Sequence, residues 1–248
     1  MNINALIHYT QQLLQVERFK DYCPNGLQVQ GKTEVRKIVT GVTASMALLQ
    51  AAHEASADLI LVHHGYFWRN EDPRIVGIKR NRLAFLLKHE LNLAAYHLPL
   101  DAHITLGNNV QLGNLLGFEL EGFSGDPAII AYGQLKHVVN LQTLAGHIET
   151  TLGRKPLTIG DSQKIVKKIA WCTGAAQGYI ESAIELGVDV FISGEISEQT
   201  THLALESGVS YISAGHHVTE RYGIKALGMH LADKFQLEHQ FIDIENPV

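Results

Sequence analysis

Short apolar runs and longer amphipathic stretches alternate along the chain, a pattern typical of proteins that mix strands and helices. Lys37–Thr43 (KIVTGVT) and residues 58–64 (DLILVHH) are apolar runs that predict buried strands. Between them, residues 45–55 (SMALLQAAHEA) predict a helix with Ser45 as its N-cap. A strand, a helix and a second strand in this order predict a βαβ unit whose two strands are parallel.

Similar patterns extend through the rest of the chain. Its first 14 residues predict an amphipathic helix, and the turn sequence CPNG precedes a short strand that begins GLQVQ. We predict further helices over residues 79–91, 107–116 and 141–152, and further strands over residues 92–96, over residues 133–139 and around Thr158.

The second half of the chain repeats the first. Sliding the chain by 131 residues places residues 37–65 on residues 168–196 without a gap, and six pairs are identical. About two identities are expected from ordinary residue usage, although two βαβ units resemble each other in any case. We interpret this match as an internal duplication.

One composition shift divides the chain. Residues 121–127 (EGFSGDP) are rich in Gly, Ser, Asp and Pro, which favours a domain boundary there. We therefore predict two related α/β domains of the βαβ type, with mixed sheets flanked by helices. The first comprises residues 1–124 with residues 214–248, and the second comprises residues 125–213.

Composition narrows the class of function. The 248 residues are 46% hydrophobic and carry a net charge of -5, which gives no general electrostatic footprint for nucleic acid. The two cysteines are far apart and lack a CxxC spacing, so we expect a reducing compartment. No apolar run is long enough to span a membrane and the first helix lacks the features of a signal peptide, so we expect a cytoplasmic protein.

Histidines and acids follow the apolar segments, where open α/β sheets place ligands. His63 and His64 end the run at residues 58–64, and we expect strand alternation to turn them apart, so that each serves its own ion. His97 and Asp101 follow the next strand, and the same spacing recurs near the C-terminus. There the candidates are His216, His217 and Glu220.

Imidazole and carboxylate groups are typical ligands of Zn, Fe, Mn or Ni. His216 and Glu220 are four residues apart, so a helical turn would place both on one face. Pro99 makes a continuous helix from His97 to Asp101 less favourable, and we expect Asp101 to be the better ligand of the two. The alternative is that each histidine is an ordinary hydrogen-bonded residue.

Three other features have two interpretations each. The basic residues Lys79, Arg80 and Arg82 are either a phosphate site or a solvated helix face. The small residues at 173–178 (TGAAQG) either cradle a phosphate or pack tightly, and tight packing is favoured because no phosphate-loop motif is present. The aromatic residues at 66–68 either stack on a base or wall the site.

Several of these stretches together carry a family resemblance. They are PNGLQVQG, TGVTAS, ADLILVHHGYFW, HLPLDAH, ISGEISEQ and AGHHVTE. With them the chain resembles the Nif-three-like dinuclear metal family, whose members are named GTP cyclohydrolase type-two homologues. The resemblance covers nearly the whole chain.

The resemblance implies a toroidal homohexamer with two divalent metal ions per subunit at the junction of two α/β domains. Carried over position by position, the family's metal ligands fall on residues that the spacing had already singled out. They are His63, His64, Asp101, His216 and Glu220.

Two adjacent divalent ions activate water for attack on an ester, amide or ring carbon, so a metal-dependent hydrolase is the leading functional hypothesis. His97 and His217 are the candidate catalytic residues, as proton relays. We expect the substrate to be a nucleotide or another phosphorylated small molecule.

The alternative hypothesis is a non-enzymatic protein that binds or delivers metal, or a ring scaffold. Nucleic-acid binding is disfavoured by the charge, although a ring could gather basic residues, among them Arg69, into a lining.

Overall fold

A computed structural model describes all residues from Met1 to Val248. The chain forms two compact units, and each contains one mixed sheet with its own helices. This confirms the predicted α/β class with two mixed sheets flanked by helices. No helix combines the length and the apolar character that crossing a lipid bilayer requires.

The elements are numbered here in chain order. The strands are β1 (Gly26–Val29), β2 (Lys37–Thr43), β3 (Leu59–His64), β4 (Asn92–Ala95), β5 (Phe118–Ser124), β6 (Ile130–Asn140), β7 (Leu157–Ile159), β8 (Ile165–Cys172), β9 (Val190–Ser193), β10 (Ser210–Ser213) and β11 (Glu238–Phe241). The helices are α1 (Ile3–Leu13), α2 (Met46–Glu54), α3 (Gly77–Lys88), α4 (Leu98–Asp101), α5 (Asn108–Leu116), α6 (Leu141–Leu152), α7 (Ile180–Glu185), α8 (Glu198–Ser207), α9 (His216–Thr219) and α10 (Arg221–Phe235).

The first unit is built on a five-stranded sheet with the order β1-β4-β3-β2-β11. Strands β11, β2, β3 and β4 are parallel, and β1 is antiparallel to β4. The predicted βαβ unit is therefore confirmed as β2, α2 and β3. Ser45 caps α2 as predicted, because its hydroxyl accepts a hydrogen bond from the backbone N–H of Leu48 at 3.3 Å.

The second unit is built on a six-stranded sheet with the order β5-β6-β8-β9-β10-β7. Strands β8, β9 and β10 are parallel, whereas β5, β6 and β7 are antiparallel to their neighbours. Trp171 of β8 is fully buried in the core of this unit, and its indole N–H donates to the carbonyl of Asn109 at 2.8 Å. A buried indole with its polar atom paired is a stable core residue.

The two units divide the chain at other places than the composition indicated. The first comprises Met1–Leu106 with Gly223–Ile244, and the second comprises Gly107–Tyr222 with Glu245–Val248. The polar stretch at residues 121–127 is not a linker, because β5 pairs antiparallel with β6 and so belongs to the second sheet. His216 and Glu220 therefore lie in the second unit rather than in the first.

The repeat seen in the sequence has a structural counterpart. The shift of 131 residues brings β2 onto β8 and β3 onto β9. Strands β2 and β3 are parallel neighbours in the first sheet, and β8 and β9 are parallel neighbours in the second. A shift of 119 residues likewise brings β4 onto β10 and α4 close to α9. Two sheets with the same three-strand parallel centre are the arrangement that an internal duplication produces.

The expected effect of Pro99 is not found. Residues 98–101 form the helical turn α4, and the backbone N–H of Asp101 donates to the carbonyl of His97 at 3.1 Å. Proline is tolerated here because it occupies the first turn, where its missing N–H has no helical partner to lose.

Candidate metal centre

The first unit gathers its candidate ligands at one edge of its sheet. Strands β3 and β4 are parallel, so their carboxyl ends lie at the same edge. His63 and His64 end β3, and His97 follows β4 and precedes the turn that carries Asp101. The sheet topology therefore brings together side chains that are far apart in the sequence.

The three imidazoles lie close to one another. The ring centres of His63 and His64 are 4.7 Å apart, and those of His63 and His97 are 5.0 Å apart. One ring nitrogen from each lies within 4.8 Å of the other two, a spacing that a single metal ion can bridge. Strand alternation therefore does not keep His63 and His64 apart at this end of β3.

Hydrogen bonds fix which ring nitrogen each histidine can offer. Nδ1 of His63 donates to the carbonyl oxygen of Tyr96 at 2.9 Å, and this assigns the ligand role to Nε2. Nδ1 of His64 lies 3.2 Å from the hydroxyl of Thr43. Such a partner at the second nitrogen is what metal-binding histidines usually have, because it holds the ring in place.

Asp101 completes the cluster in this unit. Its Oδ1 lies 3.5 Å from Nε2 of His63, and both side chains are almost entirely buried. A carboxylate and an imidazole that converge in a buried position favour a shared cation, because burial penalises an uncompensated negative charge. The prediction that Asp101 lies beside the histidines is consistent with this geometry.

The ring of His97 is hydrogen-bonded to an acid that the sequence prediction did not include. Its Nδ1 donates to Oδ1 of Asp21 at 2.7 Å. The ring of Trp68 meets the ring of His97 edge-on, with 5.0 Å between their centres. The ring of His97 is therefore held by a hydrogen bond to Asp21 and by packing against Trp68.

The second unit carries a cluster of its own at the carboxyl ends of β9 and β10. His216 Nε2 lies 3.0 Å from Oε2 of Glu220, so the two side chains share one face as the four-residue spacing predicted. Nδ1 of His216 donates to Oε1 of Glu195 at 2.7 Å. Both nitrogens of this imidazole therefore face carboxylates.

These carboxylates control the protonation of His216. Burial alone would lower the pKa of His216, but hydrogen bonds and charge attraction from Glu220 and Glu195 outweigh it and raise the pKa to about 9. In the metal-free chain the ring is therefore protonated at neutral pH, and a cation would replace that proton.

The small residues at 173–178 pack against this cluster. A Cβ on Gly174 would overlap Oε1 of Glu220 and lie 3.2 Å from Nε2 of His216, and Gly174 has a φ of +69°. Only glycine satisfies both conditions. The close approach favours the tight-packing interpretation of this stretch over a phosphate cradle.

The structure also shows the contacts of His217 and of the aromatic residues at 66–68. His217 is buried, and its backbone N–H donates to the carbonyl of Val248 at 2.9 Å. Tyr66 is a core residue whose hydroxyl donates to the carbonyl of Ala44 at 2.8 Å, so of the three aromatic residues Trp68 is the one beside the histidines. Tyr66 is thus unavailable to stack on a base.

The basic residues of α3 are engaged within the unit. Lys79 donates to the carbonyl of Asp72 at 3.0 Å and lies 3.4 Å from the carboxylate of Glu71. The guanidinium of Arg82 lies over the ring of Tyr66. These contacts favour a structural role over a phosphate site for this helix.

The donor set fits a divalent transition metal in each unit. Imidazole nitrogens and carboxylate oxygens converge, and the Nδ1 atoms of three histidines donate to a carbonyl or a carboxylate oxygen. Sequence reasoning missed Asp21 and Glu195. Glu195 follows Gly194, which comes directly after the strand β9, and this position is a signal that could have indicated it. Asp21 lies between elements and offers no such signal.

Comparison with known proteins adds a family. The family model for Duf34/NIF3 (NGG1p interacting factor 3) matches residues 1–247. The GTP cyclohydrolase 1 type 2 homolog of Pseudomonas aeruginosa is 53% identical over 248 residues, covering 99% of this chain and 98% of the relative. The GTP cyclohydrolase 1 type 2 homolog of Escherichia coli K12 is 54% identical over 248 residues, with 100% of both chains covered.

A solved structure supports the same assignment. The structure of protein ybgI, described as of unknown function, matches with a TM-score of 0.97 at 50% identity and covers 100% of both chains. The fold and the resemblance carried by the sequence motifs are thus confirmed together. The chain belongs to the DUF34/NIF3 family.

Proposed function

We propose that this protein is a divalent-metal-dependent hydrolase that acts on a nucleotide-like or otherwise phosphorylated small molecule. The proposed ligands are His63, His64 and Asp101 from the first unit and His216 and Glu220 from the second. Two ions of Zn, Fe, Mn or Ni bound by this set would polarise the attacked group and lower the pKa of water.

One observation supports the proposal above all others. Ring nitrogens of His63, His64 and His97 lie within 4.8 Å of one another, and two of the rings donate from Nδ1 to oxygen atoms. Packing alone does not require the ring nitrogens of three histidines to converge in this way. The convergence supports a site in which His63 and His64 are ligands and His97 lies beside them as the group that transfers protons.

The chain also supplies groups that can move protons and position a substrate. His97 is the first candidate for proton transfer, because Asp21 fixes its ring while 15% of its side chain remains exposed. His217 is the second candidate, by its position next to His216. Trp68 offers an aromatic face beside His97 on which a base could stack.

The substrate class rests partly on the relatives. Curated relatives carry the name GTP cyclohydrolase 1 type 2 homolog, which makes GTP the first nucleotide to test. A name that contains the word homolog transfers no activity by itself, so a panel of nucleotides and a simple phosphodiester belong in the same screen.

The experiment compares turnover with metal content. Metal-free protein is loaded with Zn, Mn, Fe or Ni and assayed on nucleotides and on bis(4-nitrophenyl) phosphate. We expect turnover by wild type and loss of it in His64→Ala and Glu220→Gln. His8→Ala and Glu206→Gln, which change exposed residues of the same types, serve as matched controls and keep wild-type activity.

Two other outcomes would contradict the proposal. Turnover by ligand variants that contain no metal would reject the metal-dependent mechanism. Absence of turnover with every metal, together with transfer of the ion to an acceptor, would favour the metal-delivery alternative.

The assembly and location are proposals as well. We propose a toroidal homohexamer in the cytoplasm, as the family resemblance implies. Light scattering would then give a mass about six times the 27.4 kDa of one chain. A monomeric mass would contradict the ring.

A further inference from the structure

The side chain of Asp21 is the centre of a small hydrogen-bond network. Its Oδ1 accepts from the imidazole Nδ1 of His97 and from the backbone N–H of Tyr22, at 2.7 and 2.6 Å. Its Oδ2 accepts from the backbone N–H of Leu98 and from the side-chain amide of Asn25, at 2.9 and 2.8 Å. Four donors on one carboxylate are the arrangement that keeps it ionised.

The charge of Asp21 agrees with these contacts. Burial alone would raise the pKa of Asp21, but the hydrogen bond and the charge of His97, together with the bonds from Asn25 and Tyr22, lower it below its ordinary value. The carboxylate is thus an acceptor with no proton to donate. The proton between the two side chains therefore belongs to Nδ1 of His97.

The backbone of His97 is held by the same segment. Its N–H donates to the side-chain oxygen of Asn25 at 2.7 Å, while the amide nitrogen of Asn25 donates to Asp21. Main chain and ring of His97 are thereby both bonded to residues 21–25. This leaves the ring little freedom to turn Nδ1 towards the histidines of β3.

We propose that Asp21 is a positioning residue that holds His97 in the Nδ1–H tautomer, so that Nε2 accepts a proton beside His63 and His64. The role of this proton transfer in catalysis rests on the proposed hydrolase function. Asp21 contacts neither substrate nor metal and acts through His97. The chemistry needs this arrangement because a neutral imidazole accepts a proton only at its unprotonated nitrogen.

A metal site on Asp21, Cys23 and His97 is the competing interpretation, since their donor atoms lie within 4.8 Å of one another. Two observations disfavour it. A metal there would have to deprotonate the Cys23 thiol, whose pKa is raised to about 12 by burial and by the charge of Asp21. Both oxygens of Asp21 are also already occupied by protein donors.

The substitution Asp21→Asn reverses the tautomer with little change of shape. Placed at the Oδ2 position, the new NH2 group would oppose the N–H of Leu98 and the amide of Asn25. Placed at the Oδ1 position, it would oppose the N–H of Tyr22 and, until the imidazole proton moves to Nε2, the Nδ1–H of His97. The second orientation is favoured because, once that proton has moved, only the bond from Tyr22 is lost. The amide then donates to Nδ1 of His97 and drives the proton to Nε2.

Asp58→Asn is the matched control. Asp58 also accepts two backbone N–H groups, from Arg36 at 2.9 Å and from Lys37 at 3.2 Å, in the same unit. Its carboxylate also lies 3.3 Å from the ammonium of Lys32, and it bonds to no imidazole. Any general effect of replacing a carboxylate that accepts backbone N–H groups should appear in both variants.

The first readout is independent of turnover. Solid-state NMR of zinc-loaded protein, labelled with nitrogen-15 in the histidine rings, reports the tautomer, and His97→Gln identifies the signals of His97. We expect Nδ1–H in wild type and in Asp58→Asn, and Nε2–H in Asp21→Asn. An Nε2–H tautomer in wild type would overturn the inference even if the variant fails to fold.

The second readout uses bis(4-nitrophenyl) phosphate with the manganese-loaded protein. We expect kcat of Asp21→Asn to fall about 100-fold with KM and metal content unchanged, and kcat of Asp58→Asn to stay within about twofold. A reversed tautomer with unchanged kcat would overturn the proton-accepting role, and loss of metal from His97→Gln would make His97 a ligand instead. The predicted tautomers with no turnover in wild type would support Asp21 as the positioning residue while rejecting the hydrolase.

Discussion

Nδ1 of His216 lies 2.7 Å from Oε1 of Glu195, so the imidazole that faces Glu220 on one side is anchored by a second acid on the other. An acid in this position orients the ring and increases its basicity towards a metal. Glu195 is therefore part of the candidate centre of the second unit, although it contributes no predicted ligand atom.

Replacing Glu195 should weaken metal binding without abolishing it. In Glu195→Gln the acceptor loses its charge, so we expect the affinity for Zn to fall about 10- to 100-fold. Competition with a fluorescent chelator measures this affinity. Glu198→Gln, a change at an exposed position three residues further on, should bind Zn as wild type does. Equal affinities in all three proteins would contradict a role for Glu195.

Gly174 should tolerate no side chain. In Gly174→Ala the new Cβ meets the carboxylate of Glu220 and the backbone keeps an unfavourable positive φ, so we expect a loss of about 1 to 3 kcal/mol in the free energy of unfolding. Metal binding should weaken as well, because the carboxylate must move. Urea unfolding and elemental analysis measure the two effects.

Gly178→Ala is the control for this substitution. A Cβ at Gly178 meets nothing within 4 Å, so the free energy of unfolding should change by less than about 1 kcal/mol. A Gly174→Ala protein that is as stable and as rich in metal as the control would contradict the packing described for this loop.

The thiol of Cys23 should be unreactive in the folded protein. Burial and the charge of Asp21 raise its pKa to about 12, so the native protein reacts slowly with Ellman's reagent at pH 8. Because the raised pKa lies above this pH range, the reaction rate of the native thiol should rise about tenfold per pH unit from pH 8 to pH 10. In urea the rate should level off above about pH 9. Cys172→Ala leaves Cys23 as the sole thiol, and a native plateau near pH 9 would contradict the raised pKa.

Local signals were sufficient for much of the fold. The bounds of Lys37–Thr43 and Leu141–Leu152 agree with the sequence prediction to the residue, because apolar periodicity and turn residues mark their ends. The boundary expected at residues 121–127 was wrong because β5 joins β6 by antiparallel pairing, a choice that composition does not record. The strand β11 was not predicted for a similar reason, since Glu238–Phe241 is short and partly polar and exists through its pairing with β2.

The candidate site was predictable in part. His63, His64 and Asp101 became candidates because histidine and acid follow apolar strands, and the topology brings the ends of parallel strands together. Asp21 was missed because its partner His97 lies 76 residues away and no local pattern connects them. An orienting acid without such a local signal becomes visible only when side-chain geometry is known.

Elemental analysis of the metal content per chain is the most direct measurement of whether these side chains bind two ions. We predict two divalent ions per chain in wild type and in His8→Ala. We predict fewer than one in both His64→Ala and Glu220→Gln, because His64 and Glu220 both belong to the proposed ligand set. Two ions per chain in either ligand variant, or none in wild-type protein saturated with Zn, Mn, Fe or Ni, would contradict it.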